Sequence, residues 1–202
     1  MRVLFIGNSH TYYNEMPHIV QQLMEAAGQP IEITMLSKGG AHLADHIANE
    51  QTKFNILYGH YDFVILQEVT LGFPGAKVYL ESVQTIKSWC DEAGSKCGLY
   101  MNFADANDDP PQEMLKNVVS AIGDHLGLPV ARAGEAFQRA KQFLSDIELY
   151  WEDNRHAGYN GSYLIALTIV HDFFGVEPKG LPALGCRKDE YAEALQRLVH
   201  AL

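Results

Sequence analysis

Short apolar runs recur along the chain, each followed by a longer stretch whose apolar residues return at helical spacing. The runs are RVLFI (2–6), IEITML (31–36), DFVILQ (62–67), CGLYMNF (97–103) and LPVARA (128–133). A run that is apolar throughout suits a strand buried on both faces of a parallel sheet, and the helical stretches suit the crossovers that cover it. The pattern predicts helices at 15–27, 75–94 and 112–126 between strands, and three more at 134–147, 158–174 and 188–201. Pro178, Gly180 and Pro182 mark the loop before the last of them. With right-handed crossovers the expected fold class is α/β: a three-layer αβα sandwich with a five-stranded parallel, doubly wound, flavodoxin-like sheet. No repeat, low-complexity tract or linker divides the chain, so residues 1–202 read as one domain.

Composition narrows the partners. A chain of 202 residues that is 47% hydrophobic can build a core without metals or disulfides. Its formal net charge of -10 opposes nucleic acids and anionic membranes, and leaves neutral or cationic small molecules as the expected substrates. Cys90, Cys97 and Cys186 form no C-x-x-C pair, and their odd number makes a poor disulfide framework, which points to a reducing compartment. The apolar VLFI near the N-terminus is too short for a signal-peptide core, and no apolar stretch approaches bilayer length. The expectation is a cytoplasmic protein without a membrane partner. Oligomeric state leaves no trace in the sequence.

Ligands of open α/β sheets bind beyond the carboxyl ends of the strands, where strand order reverses. Every distinctive polar cluster falls at such an end: GNSHT after the first run, SKGGAH after the second, QEVT after the third and NFADAND after the fourth. In GNSHT, Asn8 and Ser9 are both helix-capping types, so a cap is the plain reading. A serine at that point also aims its hydroxyl into the crevice and carries one of the unpaired N–H groups of a helix's first turn, which can stabilise an oxyanion.

A serine nucleophile needs a general base and a group that orients it. WEDNRHAGYNGSY (151–163) offers both, with Asp153 three residues before His156 in a loop ahead of a helix. The carboxylate can accept from imidazole Nδ1–H and leave Nε2 for the serine. Taken alone the pair also reads as a turn cap beside a surface histidine. Gly39 and Gly40 after the second run could present a backbone N–H to a carbonyl oxygen, or simply form a turn. Gln67, closing the third run, must find partners or face the crevice, where its amide can complete an oxyanion hole. Glu68 reads as a loop brace without a chemical step.

Together these residues resemble a known family. FIGNSHT is similar to the nucleophile block of the SGNH/GDSL hydrolases, SKGGAH supplies the glycine of their second block, and DNRH resembles their last. The resemblance covers residues 3 to about 174. It departs in reading GNS for the usual GDS, and LQE where the third block has G-x-N-D. It implies a serine esterase with Ser9 as nucleophile, His156 as base and Asp153 as orienter. The implied oxyanion donors are Ser9 N–H, Gly40 N–H and, in place of the family's asparagine, the Gln67 amide. No cofactor or metal is implied. The expected substrate is a small-molecule ester with a short acyl group, such as an acetylated sugar; arylesters, thioesters and lysolipids are other substrates of the superfamily.

His10, Tyr12, Phe103 and Trp151 are candidate substrate contacts, and Tyr13, Phe73 and Tyr159 are aromatic residues near the same strand ends. All could equally be core. His42 and His46 have metal-ligand spacing on an expected helix but no third ligand, so they read as surface histidines. A flavodoxin-like phosphate site on the first loop lacks the glycines and hydroxyls it would need, and no G-x-S-x-G elbow marks an α/β-hydrolase. A silent carbohydrate-binding protein on the same scaffold is the third reading.

Overall fold

The structure, a computed structural model, describes residues Met1–Leu202. Five strands form one parallel sheet: β1 (Arg2–Gly7), β2 (Glu32–Ser37), β3 (Phe63–Leu66), β4 (Lys96–Tyr100) and β5 (Val130–Ala131), in the order β2-β1-β3-β4-β5. Nine helices accompany them: α1 (Ser9–Tyr12), α2 (Met16–Ala26), α3 (Leu43–Ile47), α4 (Glu50–Tyr58), α5 (Ala76–Ala93), α6 (Gln112–Leu126), α7 (Ala133–Phe143), α8 (Tyr159–Phe174) and α9 (Asp189–His200). The α/β sandwich expected from the alternating runs is the fold observed.

Strand geometry explains the two cores. Successive side chains leave a strand on opposite faces, so Val3 and Phe5 enter one apolar cluster with α2, α7, α8 and α9, whereas Leu4 and Ile6 enter another with α3, α5 and α6. In β3, Phe63 and Ile65 join the first cluster, and Val64 and Leu66 the second. Helix α8 is apolar on every side, and residues 160–170 are all buried, because α9 and α7 cover the flank the sheet does not reach. Cys90 and Cys97 are buried free thiols, and Cys186 is a half-buried one.

The sequence pattern misses α4, which buries only Thr52 and Ile56 and so carries almost no apolar stripe. The third and fourth runs are shorter as strands than expected, since Gln67 and Met101–Phe103 lie beyond β3 and β4. The fifth run gives a two-residue strand, its Ala133 already opening α7. The helix expected at 15–27 starts at Met16, preceded by Asn14 (φ 52°) and Glu15 (φ 57°) in the left-handed region, which separates it from the short α1.

Strand β1 has β2 on one side and β3 on the other, so chain order reverses across it. Its carboxyl end is the crevice where such sheets bind ligands. Ser9 stands there.

Candidate active site

The turn from β1 into α1 is fixed by Asn8. Its backbone is extended, its side-chain oxygen accepts from His10 N–H at 3.1 Å, and its amide donates to Ala41 O at 3.0 Å, beyond β2. Asn8 is fully buried. The cap is therefore Asn8, which leaves the Ser9 hydroxyl, one residue later, free of capping.

Gln67 braces the same turn from below. Its Oε1 accepts from Asn8 N–H at 3.0 Å and from Thr11 Oγ1 at 2.9 Å, and its Nε2 donates to Glu68 O. With 1% of its surface exposed, the amide faces backbone rather than the crevice. The expectation that Gln67 supplies the third oxyanion donor is corrected accordingly: a buried amide takes the nearest unpaired N–H and C=O, and here these belong to Asn8 and Glu68. Glu68 does hold its loop, accepting from Val69 N–H at 2.7 Å and Leu43 N–H at 3.2 Å, with His42 Nδ1 at 3.3 Å. Burial raises its pKa, against those hydrogen bonds.

The histidine comes from a loop closed at its base by the antiparallel bridge Tyr150–Ala157 and by Trp151 N–H donating to His156 O at 2.8 Å. Within it Asp153 Oδ1 accepts from the N–H groups of Arg155 and His156, both at 3.0 Å, while Oδ2 lies 2.6 Å from His156 Nδ1. Desolvation works to raise the Asp153 pKa, but the hydrogen bonds from the His156 ring and the two N–H groups outweigh it and hold it at about 2. Across the crevice His156 Nε2 lies 2.8 Å from Ser9 Oγ. The structure thus brings Ser9, His156 and Asp153 into one hydrogen-bonded line.

Asn14 ties the two halves of that line together. Its amide donates to Ala157 O at 2.8 Å and to Ser162 Oγ at 2.9 Å, joining the serine's turn to the histidine's loop. Asparagine tolerates the left-handed backbone this needs. Sequence reasoning missed Asn14, which lies just ahead of the helix expected at 15–27 and whose only local signal is that it is an asparagine.

The imidazole sits between two rings. Tyr13 stacks on it at 4.0 Å between centroids and 9° between planes, and His10 lies on it at 4.9 Å and 24°. His10 is buried, and desolvation, with the nearby His156, lowers its pKa to about 3, so it stays neutral beside the His156 ring. Phe103, expected to touch substrate, is instead wholly buried, stacked on Phe137 at 3.9 Å and edge-on to His10. It supports the site from the core. Trp151 is half-buried and packs edge-on against Tyr159 at 5.7 Å. Tyr12 is 36% exposed.

Gly40 adopts a φ of +69°, a backbone that favours glycine, and its N–H has no partner within the chain. Ser9 N–H is likewise unpaired, as expected in a helix's first turn. His46, expected at the surface, is buried with Nε2 2.8 Å from Gly7 O, and His42 stands at the N-cap position of α3, its backbone N–H donating to Asp45 Oδ2 at 2.9 Å.

No protein-family model matches the chain, and no curated protein matches it. Solved structures do. A DUF4886 family protein from Bacteroides uniformis ATCC 8492 superposes with a TM-score of 0.78 over 100% of this chain and 93% of its own, at 18% identity. The acetyl xylan esterase AlAXEase gives 0.70 over 84% and 98%, at 15% identity. A member of the lipolytic protein G-D-S-L family from Veillonella parvula DSM 2008 gives 0.63 over 86% and 98%, at 12% identity. At these identities the likeness is one of fold.

Proposed function

We propose that the chain is a serine hydrolase of the SGNH/GDSL superfamily that cleaves carboxylic esters through an acyl-enzyme. The observation that carries the reading is the line Ser9 Oγ, His156 Nε2, His156 Nδ1, Asp153 Oδ2, with links of 2.8 Å and 2.6 Å. A serine hydroxyl is a poor nucleophile until a base takes its proton, and an imidazole aimed by a carboxylate is such a base. The shared fold with a G-D-S-L family member and an acetyl xylan esterase supports the same reading.

In the proposed cycle His156 Nε2 accepts the proton of Ser9 as Oγ attacks the ester carbonyl carbon. Asp153 holds the Nδ1–H tautomer and balances the imidazolium. Charge on the carbonyl oxygen is met by the N–H groups of Ser9 and Gly40, both unpaired within the chain. The alcohol departs with the proton from Nε2. Water then enters, gives its proton to His156 and attacks the acyl carbon, and Ser9 recovers its proton as the acid leaves.

A short acyl group, such as acetyl on a carbohydrate, is the substrate that best fits. Phe103, the candidate for an acyl-pocket wall, is sealed in the core. Hydrolysis of p-nitrophenyl esters from acetyl to octanoyl tests both points, with Ser9→Ala and His156→Ala alongside. Rates should fall with chain length and collapse in both variants. Full activity in Ser9→Ala would end the proposal, as would failure of a fluorophosphonate to label Ser9.

A further inference from the structure

The two rings that sandwich His156 reach it from the nucleophile's own turn. Tyr13 follows α1, and its backbone is bound to both halves of the site. Its N–H donates to Ser9 O, and its carbonyl accepts from Met16 N–H and, at 3.3 Å, from Ser162 Oγ on α8. Ser162 Oγ in turn accepts from the Asn14 amide, which also donates to Ala157 O beside the histidine. A backbone fixed on both sides carries a ring of fixed position: it lies 9° from parallel to the imidazole, at 4.0 Å between centroids. His10 covers the opposite face at 4.9 Å and 24°, and Phe103 meets its ring edge-on at 5.3 Å.

Those faces matter most when the imidazole is charged. The ionisable groups that meet the ring are the Asp153 carboxylate at Nδ1, the Ser9 hydroxyl at Nε2, and the His10 and Tyr13 rings on its two faces. Both ring nitrogens are thus engaged, and further stabilisation has to come through the faces. An aromatic face is the negative side of the ring quadrupole and attracts a cation placed over it. The imidazolium exists only once Ser9 Oγ has given up its proton, so an attraction confined to that state lowers the barrier without tightening substrate binding. A protonated His10 would oppose the same charge; burial keeps it neutral.

Resting on the esterase reading above, we propose that Tyr13 is a positioning residue for the base: it fixes the plane of the His156 ring and, through its π face, stabilises the imidazolium that forms as Ser9 attacks. The phenol hydroxyl is not needed for this role. An aliphatic side chain of similar size would keep the packing and lose the face.

The test separates face from packing. Tyr13→Leu should lower kcat on p-nitrophenyl acetate roughly tenfold with KM unchanged. The acid limb of its kcat/KM profile should also move to lower pH by about one unit, because an imidazolium without the face gives up its proton more readily. Tyr13→Phe restores the face and should recover most of both effects. An acid limb that stays in place in Tyr13→Leu would overturn the proposal, since lost packing lowers the rate without moving the titration. A Tyr13→Phe variant as impaired as Tyr13→Leu would overturn it too. Where Tyr13→Leu does not fold, a fluorinated phenylalanine at position 13 keeps the shape, draws charge from the face and carries the same comparison. NMR titration of the His156 ring reads the effect without catalysis, with a midpoint about one pH unit lower in Tyr13→Leu than in the unmodified protein. That shift in a protein that hydrolyses no ester would remove the esterase reading and keep the stack. An unmoved midpoint in a protein whose activity depends on Ser9 would do the reverse.

Discussion

At the scale of single residues, the site depends on groups whose neighbours set their state. Asp153 stays ionised to about pH 2 because three hydrogen bonds stabilise its charge. Asp153→Asn keeps the shape but offers Nδ1 an amide in place of the carboxylate, and turnover should fall by about ten thousandfold, measured as kcat on p-nitrophenyl acetate. His10 acts on stability. Its folded pKa of about 3 lies below the ordinary 6.5, so the unfolded chain takes up the proton first as pH falls. The contribution of neutral His10 is complete above 6.5 and is lost between 6.5 and about 3, with a limiting slope of about 1.4 kcal/mol per pH unit. His10→Phe, which preserves a ring against His156, should flatten that part of the stability curve in urea titrations across pH. Asn14→Gly keeps the left-handed backbone and removes two hydrogen bonds, so it should cost about 1–3 kcal/mol and lower kcat, because the histidine loop loses its tie to the serine's turn.

At the scale of elements, the turn between β1 and α1 is held from two neighbouring strands at once. Asn8 reaches the loop after β2, and Gln67 at the end of β3 reaches back to Asn8 and Thr11. Gln67→Ala would strand Asn8 N–H and Thr11 Oγ1 in a buried space, at about 1–3 kcal/mol for each unsatisfied group. A lowered urea midpoint is the expected result; unchanged stability with a loss confined to kcat would return Gln67 to the oxyanion hole. Gly7 makes the same point sterically. A Cβ there would lie 2.4 Å from Thr11 Oγ1 and 2.5 Å from Gln67 Oε1, so Gly7→Ala should disturb both the turn that carries Ser9 and its brace. The LQE at the end of the third run thus has an architectural role, which its position at a strand end did not distinguish from a catalytic one.

At the scale of the whole molecule, α8 is the element on which one face of the sheet rests. Leu167 is fully buried in the larger core cluster, and Leu167→Ala should cost about 2–5 kcal/mol by urea denaturation without changing KM. That cluster also carries α9, whose Leu195 and Val199 are fully buried in it. No helix of the molecule is long and apolar enough to cross a membrane. The sequence by itself determined the parallel α/β sheet, because strands covered on both faces must be apolar throughout and their crossover helices must show a single apolar stripe. It also singled out Ser9 after the first run and Asp153 and His156 on one late loop as candidates, and the packed chain brings these three side chains together. It could not mark α4, which has almost no stripe, nor tell that Phe103 is core, that Gln67 faces backbone, or that Asn14 and Glu15 turn left-handed. Those outcomes are set by contacts between residues up to 148 positions apart, such as Asn14 with Ser162. Local patterning records which residues want burial or a turn, but only the packed chain decides which unpaired donor or acceptor each buried polar group meets.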